Sequence, residues 1–339
     1  MSGRLKLRRG VIVSEDPLTV EIDGEQRAAW ADTSLLGEMR EGDEVVVNVA
    51  ALDLGLGSGG FDVVHVNLTR GLEGGEGGGE HVMKLNYSSL QHPVDPVERP
   101  LDDAGDGARA TPVLVLPLHG HLAPAAWAAG EASPGIRVGY VQTGGGALPG
   151  GYSRDAAELL ERGLLCDHVT AAPAYGGRRE AISVAGALDA AANRFGWDAV
   201  LAGPGPGIIG SETRLGHGGI AALDTAHAAL ALGMPTLLSP RLSGADERAR
   251  HRGVSHHTLT VMGLLLGAVE VPVPAGEADA LAVLAEAGGG RHRLREEAFD
   301  LSGYAASGLP ARTMGRGIED DPLFFAAALA AGGALRGKG

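Results

Sequence analysis

The chain has 339 residues, and its 55 Gly and 18 Pro interrupt regular structure too often for a helical bundle or a coiled coil. Forty-two acidic and 28 basic residues give a net charge of -14, which disfavours nucleic acid and anionic membranes as partners. The single Cys166 excludes an internal disulfide and a cysteine-based zinc site. No apolar stretch reaches the ~18 residues that a membrane helix needs, so we expect a cytoplasmic protein.

The first 92 residues favour β-structure. Short segments rich in β-branched residues alternate with turn signals such as Asp23-Gly24, which predicts a small domain over residues 1–92 built as a barrel or sandwich. The predicted strands are 10–13, 18–22, 44–49, 62–67 and 82–87. Prolines and acidic residues then predict a linker over residues 93–110.

From residue 111 the pattern changes to continuous apolar runs that alternate with Ala-rich segments. This pattern predicts a doubly wound, mostly parallel α/β domain of the Rossmann-like type over residues 111–339. The predicted strands are 113–116, 136–141, 168–171, 199–202, 236–238 and 268–271. The predicted helices are 154–162, 180–195, 219–232, 255–266 and 277–287, with a closing helix over 323–331 after Asp320-Asp321-Pro322.

Glycine-rich loops follow several of these strands at the edge where open α/β sheets bind ligands. Glycine lets backbone N–H groups approach a ligand closely, so we predict ligand contacts at Thr143, Gly144, Gly145, Gly205 and Gly207. The alternative is that these glycines only form the tight turns that such loops require.

Residues 205–210 also match the dinucleotide pattern G-x-G-x-x-G. Three observations argue against NAD(P), which is therefore not expected. The same pattern also occurs at 55–60 in the β region, and the helix after residue 210 is predicted to begin beyond the glycines rather than among them. The next strand is also not followed by the acidic residue that would bind a ribose hydroxyl. A looser anion cradle, with Ser211 and Thr213 as hydroxyl donors at a helix N-terminus, is one alternative. An ordinary connection is the other.

Eight of the twelve histidines lie between His119 and His257. On extended chain, residues two apart point the same way, so His119 and His121 could chelate one divalent metal. The further ligand would be a third histidine or a carboxylate, which Asp246 or Glu212 could supply. His256 and His257 lie about 100° apart around a predicted helix, so at most one should join that pair. These four histidines are the catalytic candidates; acid/base chemistry without a metal and purely structural anchoring remain open alternatives.

Several arginines lie downstream of one strand end. Guanidinium groups at this place suit recognition of a carboxylate or phosphate, although they could equally pair with acidic side chains of this protein; the arginines are Arg241, Arg248, Arg250 and Arg252, and Arg241, Arg250 and Arg252 are the predicted ligand contacts. Residues 312–317 could fold back on the same edge. The cofactor, apart from the possible metal, stays unknown at this stage.

Two motifs, HRGVSHHT at 251–258 and TMGRGIEDDPLFF at 313–325, carry a resemblance to a known family. The chain resembles an uncharacterised bacterial family that is known only as a domain of unknown function. The matching segments run through most of the chain: 52–60, 119–124, 143–149, 203–219, 251–258 and 313–325. The resemblance implies a cytoplasmic bacterial protein and carries over no activity.

Taken together, these features predict an enzyme, either a hydrolase or a group transferase, that acts on a small anionic and phosphorylated metabolite. The alternative is a non-catalytic protein that senses a metabolite or organises an assembly through the same cleft. The Ala-rich helices also allow close packing across a homodimer.

Overall fold

The computed structural model describes residues 4–55, 60–74, 82–101 and 110–335, and the chain divides into two units, residues 1–94 and residues 95–339. Residues 56–59 of the 55–60 glycine pattern and residues 102–109 of the expected linker lie outside the described residues. No helix among the described residues is long and apolar enough to cross a bilayer.

The first unit contains a closed five-stranded barrel in the order β1-β2-β3-β5-β4. Its elements are β1 (Leu7–Glu15), β2 (Leu18–Ile22), β3 (Glu25–Trp30), α1 (Thr33–Leu36), β4 (Glu44–Asn48), α2 (Ala50–Asp53) and β5 (Asp62–Asn67). Alternate residues such as Val45 and Val47 point inward and are fully buried, as the period of two in a strand requires. The predicted barrel is therefore confirmed. The sequence missed β3, which has no Val, Ile or Thr.

The predicted strand 82–87 is wrong. Only β6 (Met83–Lys84) forms there, and it pairs with β7 (His92–Pro93) in a separate two-stranded sheet. Leu85 and Tyr87 have positive φ values of 52° and 61°, a conformation that does not continue a strand.

The second unit is built on an eight-stranded sheet in the order β11-β10-β9-β12-β8-β13-β16-β17, and every neighbouring pair is parallel. This confirms the predicted α/β fold. The strands are β8 (Val113–Val115), β9 (Val138–Thr143), β10 (His168–Ala171), β11 (Arg179–Ala181), β12 (Ala199–Pro204), β13 (Thr236–Leu238), β16 (Glu270–Pro274) and β17 (Arg293–Glu297).

Helices cover both faces of this sheet. Val113 and Val115 of β8 belong to one hydrophobic cluster and Leu114 to another, so the central strand is buried on both sides. The helices are α3 (Leu122–Ala132), α4 (Arg154–Glu161), α5 (Val184–Asp189), α6 (Ala221–Ala231), α7 (His256–Leu264), α8 (Ala278–Ala287), α9 (Leu301–Ala306) and α10 (Pro322–Gly333). The predicted helix 180–195 begins late because residues 179–181 form the edge strand β11.

The Ala-rich composition serves close packing inside this unit. At Gly332 in α10 an added Cβ would lie 2.2 Å from the carbonyl oxygen of Ala125 in α3, so these two helices approach backbone to backbone. The start of the expected linker also packs on this unit, because Val97 is buried and its N–H donates to the Glu180 carbonyl at 2.9 Å.

Two short hairpins complete the chain. One pairs β14 (Leu242–Ser243) with β15 (Gly253–Val254), and the other pairs β18 (Arg312–Thr313) with β19 (Arg316–Gly317).

Candidate functional site

A cavity of about 230 Å³ lies among loops that follow the C-terminal ends of the central strands β12 and β13. Its wall combines three guanidinium groups, two imidazoles and one carboxylate with apolar side chains. The lining residues are Ile208, Ile209, Gly210, Ser211, Glu212, Arg241, Arg248, Arg250, His251, His257 and Met314. A second cavity of about 500 Å³ shares Arg248 and Met314 with the first and extends to Asp246 and Arg316.

Arg241 forms the buried end of the smaller cavity and is only 3% exposed. The strand β13 ends three residues earlier, and the Arg241 N–H donates to Thr258 Oγ1 at 2.9 Å, which holds the backbone in place. Burial is the main cause that lowers the pKa of Arg241, to about 10. The Arg241 Nε has no hydrogen-bond partner among the described residues.

One buried carboxylate serves three arginines. Asp246 lies 3.3 Å from Arg241 Nη2, 2.9 Å from Arg248 Nη2 and 3.5 Å from Arg316 Nη2. Burial acts to raise the pKa of Asp246, but hydrogen bonds from Arg248 and the charge of Arg241 outweigh it and hold that pKa well below its usual range. Asp246 is therefore a carboxylate anion that organises the arginines.

The hairpin β18–β19 returns to this edge, as the sequence suggested for residues 312–317. Met314 and Gly315 form its turn with φ values of 47° and 81°, the left-handed pair that a tight two-residue turn requires. The Met314 sulfur lies 3.7 Å from Arg241 Nη2 and 3.8 Å from Arg248 Nη2. The hairpin thus closes one side of the cavity.

Asp321, just before α10, anchors that hairpin. Its carboxylate accepts from Ser243 Oγ at 2.6 Å, from the Gly244 N–H at 2.9 Å and from Arg316 Nε at 3.2 Å. The motif at 313–325 therefore joins the hairpin, the loop after β14 and the closing helix.

Four histidines cluster against the cavity. His217 and His257 stack with ring centroids 3.6 Å apart and planes within 4°, and His256 lies 4.4 Å from His257. His251 lies 4.8 Å from His257 and 5.0 Å from His256. Ser255 caps α7 by accepting from the His257 N–H, so the motif at 251–258 places His256 and His257 at the start of that helix, while His251 lies in the preceding 3₁₀ turn with its Nδ1 2.7 Å from Ser255 Oγ.

These imidazoles are neutral near pH 7. Burial is the first cause in each case, and it lowers the pKa of His251 to about 3 and that of His257 to about 2. The pKa values of His217 and His256 are also lowered by burial, with the nearby Arg241 acting in the same direction.

His119 and His121 lie apart from this cluster and do not point the same way. Residues His119–His121 form a 3₁₀ turn, in which side chains two apart diverge, and the assumption of extended chain was wrong. His119 Nε2 lies 3.0 Å from Ser153 Oγ, whereas His121 Nδ1 lies 2.8 Å from Ser239 Oγ. Among the described residues, these two histidines and Asp246 do not form a group of three metal ligands.

At the glycines that were predicted to contact a ligand, the loops after β9 and β12 pack closely against neighbouring segments and against each other. The N–H of Ala147 donates to the Gly207 carbonyl at 3.0 Å, and an added Cβ at Gly145 or Gly146 would lie 2.3 or 2.4 Å from a carbonyl oxygen of the facing segments. An added Cβ at Gly205 would lie 2.1 Å from Gln142 Nε2. These glycines permit close packing between the loop backbones, and the ligand contacts predicted for them stay a prediction. Thr143 is buried, and Gly144 faces Pro173.

The hydroxyls of Ser211 and Thr213 are not at a helix N-terminus, contrary to the prediction. They lie 2.8 Å from each other within an exposed loop that an isolated bridge between Gly210 and His217 closes, and α6 begins only at residue 221. Ser211 nevertheless lines the cavity.

Of the remaining predicted arginines, Arg250 lines the cavity and lies 3.3 Å from Glu212. Arg252 is exposed, donates to the Asp246 carbonyl at 3.3 Å and is not among the lining residues. Its contact with a ligand stays a prediction.

Sequence reasoning named Arg248 with the other arginines but missed His217, Met314 and Arg316 as members of the site. Met314 and Arg316 lie in the segment that was expected to fold back on this edge. His217 lies in the matching segment 203–219, but the loop closure that brings it to α7 is a tertiary feature.

Fold and site together define a two-unit α/β protein with an arginine- and histidine-lined cavity at one edge of a parallel sheet. The chain belongs to the family described as "Protein of unknown function (DUF3866)", which matches residues 28–332. No curated protein and no solved structure matches the chain.

Proposed function

We propose that the protein is an enzyme, a hydrolase or group transferase, that binds a small phosphorylated metabolite with its anionic group in the 230 Å³ cavity. One observation carries the proposal: the buried Arg241 shares its carboxylate, Asp246, with two further arginines. Burying a charge without a full partner costs several kcal/mol unless a ligand supplies the counter-charge.

The local charge supports an anion. The described groups Arg241, Arg248 and Arg316 carry three positive charges, and Asp246 and Asp321 carry two negative charges, which leaves one positive charge in excess. Arg250 adds a guanidinium whose acidic partner, Glu212, is 88% exposed, so that pair is readily opened. A phosphate group accepts hydrogen bonds from several guanidiniums at once.

The neutral histidines supply the acid/base chemistry of the proposal. His251 and His257 line the same cavity, and an anion bound beside them stabilises the imidazolium form, so binding raises their pKa values towards the range of an effective general base. Because these pKa values start at about 3 and about 2, both imidazoles remain neutral at pH 7 and able to accept a proton from the reacting group. The larger cavity beside Arg248 would take the rest of the metabolite.

The test is calorimetry and thermal shift with inorganic phosphate, pyrophosphate and a panel of sugar phosphates. Arg250→Gln removes one charge-assisted contact, which typically contributes about 1.5–3 kcal/mol, so the affinity should fall roughly 10- to 150-fold. Arg293→Gln is the control, because Arg293 is an exposed arginine at the start of β17 and outside the cavity lining, and it should bind like the wild type; Arg252→Gln tests the remaining predicted arginine contact.

Equal losses at Arg250 and Arg293 would contradict this cavity as the anion site. Phosphorus NMR on the ligands that bind then reports turnover. Tight binding of a ligand that is never converted, across the panel and with divalent metal supplied, would favour the sensing or assembly alternative. The cytoplasmic location and the homodimer stay predictions, and sedimentation measurements test the latter.

A further inference from the structure

We propose that His217, His256 and His257 form a binding site for a divalent transition metal of the zinc type. One ring nitrogen from each of these residues lies within 4.8 Å of the others. This is the one group of three or more His, Cys, Asp or Glu side chains with such spacing that the described residues contain.

The hydrogen bonds of His217 leave a metal-binding atom available. His217 is 5% exposed, and its Nε2 donates to the Arg214 carbonyl at 3.0 Å, so that the lone pair resides on Nδ1. A backbone carbonyl that accepts from the second ring nitrogen is the usual support of a metal-bound histidine. The Nδ1 of His217 is buried with no hydrogen-bond partner among the described residues, as is the Nε2 of His256.

Gly219 keeps space open beside these atoms. An added Cβ at this residue would lie 3.0 Å from His257 Nδ1 and 3.2 Å from His217 Nδ1. Its φ is not in the left-handed region, so the backbone itself does not require glycine there. The missing side chain therefore has a local consequence, which is room next to two imidazole nitrogens.

The donor set selects the class of metal. Three neutral imidazoles suit Zn²⁺, Co²⁺ or Ni²⁺, whereas Mg²⁺ and Ca²⁺ prefer oxygen ligands. The lowered pKa values of the histidines keep their lone pairs free at neutral pH, so no proton has to leave before the metal binds.

Two features oppose tight binding. The stacked rings of His217 and His257 cannot both direct in-plane lone pairs at one ion, so one ring must turn when the metal binds. Arg241 Nη1 also lies 3.5 Å from His257 Nδ1 and repels a cation. Removing this charge in Arg241→Gln should therefore tighten metal binding by at least about tenfold, while it weakens the binding of phosphate.

Since His257 also lines the cavity, a metal with three protein ligands would keep an open position towards a bound anion. There it would polarise the anion or activate a water molecule. This catalytic role rests on the proposed function, whereas metal binding itself does not.

The experiment is to load chelator-treated full-length protein with Co²⁺ and Zn²⁺, without phosphate. We expect one equivalent of metal, visible cobalt bands of four-coordinate geometry, and no comparable binding of Mg²⁺. His256→Gln should lower the affinity at least about tenfold, and Gly219→Ala should lower it too by filling the space. His65→Gln, in the barrel unit, should bind like the wild type.

Wild-type metal affinity in both His256→Gln and Gly219→Ala would overturn the proposal. Loss of the metal in His119→Gln alone would also overturn it, because the metal would then be bound at His119 and His121. Circular dichroism of each variant separates loss of metal from loss of fold. If no metal binds but phosphate still stabilises the metal-free protein, this inference fails and the proposed function stands. If metal binds and no anion does, the proposed function fails and the metal site stands.

Discussion

Replacing Asp246 with Asn removes the one negative charge that Arg241, Arg248 and Arg316 share. The amide has nearly the shape of the carboxylate, so the substitution changes the charge and the acceptor strength but creates no cavity. The three guanidiniums then repel one another around a neutral group, and two of them are well shielded from water, with side-chain exposures of 3% for Arg241 and 19% for Arg316.

Breaking a buried ion pair by removing one partner costs about 3–5 kcal/mol, because the other charge stays buried. Arg316 keeps Asp321 and the exposed Arg248 can turn to solvent, so Arg241 bears most of this cost. For a unit of this size, 1 kcal/mol corresponds to roughly 2–4 °C in melting temperature, so we expect a decrease of roughly 6–20 °C in buffer without polyvalent anions.

The assay is calorimetric melting of wild type and Asp246→Asn with increasing inorganic phosphate. An anion in the cavity replaces the lost charge, so phosphate should stabilise the variant more than the wild type, by an amount that follows RT ln(1 + [L]/Kd). The double variant Asp246→Asn/Arg241→Met, which removes both partners, should recover part of the stability. A single variant that melts like the wild type, or one that phosphate does not rescue, would refute the idea of an arginine cluster with excess charge.

Two further predictions concern the neighbouring structure. His121 and His168 are buried, and burial lowers the pKa of each to about 3. Below about pH 6.5 only the unfolded state binds their protons, so the free energy of unfolding should decrease as the pH is lowered, by about 1.4 kcal/mol per histidine at pH 5.5. In urea titrations, His121→Gln should remove one such contribution. Gly145→Ala should destabilise the protein by about 3 kcal/mol, because the φ of Gly145 is 101° and the new Cβ would meet the Gly218 carbonyl. Gly244 has open space around it, so Gly244→Ala should change the free energy of unfolding by no more than about 0.5 kcal/mol. Equal effects of the two substitutions would contradict the contact between Gly145 and Gly218.

The sheet could be predicted because burial on both faces leaves a strong pattern. Strands such as β10 and β13 appear as short apolar runs with the bounds that the sequence indicated. The edge strand β17 was missed because four of the five residues in Arg293–Glu297 are charged and none is fully buried, so tertiary pairing rather than composition makes it a strand. Helix α3 was missed although Pro124 lies in its first turn, a position where proline is typical.

The site was harder to predict because its members depend on where loops close. The motif at 251–258 drew attention to His256 and His257, but the sequence paired them with His119 and His121 by assuming extended chain at a turn. Their actual neighbour, His217, is 39 residues away from His256 in the chain and arrives through a backbone bridge to Gly210. No spacing rule encodes such a closure. The glycine loops are ambiguous for a related reason, because close contact between two backbones and close contact with a ligand require the same residue, so the ligand contacts at these glycines stay a prediction.

Stability alone does not account for this arrangement. Well-packed apolar side chains of similar volume are often as stabilising as a buried ion pair, or more so. Here folding instead buries Arg241 beside a shared carboxylate and holds four imidazoles neutral at a cavity edge. The buried Nε of Arg241 and the buried ring nitrogens His217 Nδ1 and His256 Nε2 have no hydrogen-bond partner among the described residues, which costs free energy in the ligand-free protein, and this cost falls when an anion or a metal ion occupies the adjoining space. Because a ligand that binds only the folded state restores this free energy, thermal stabilisation is the appropriate readout for finding the ligand.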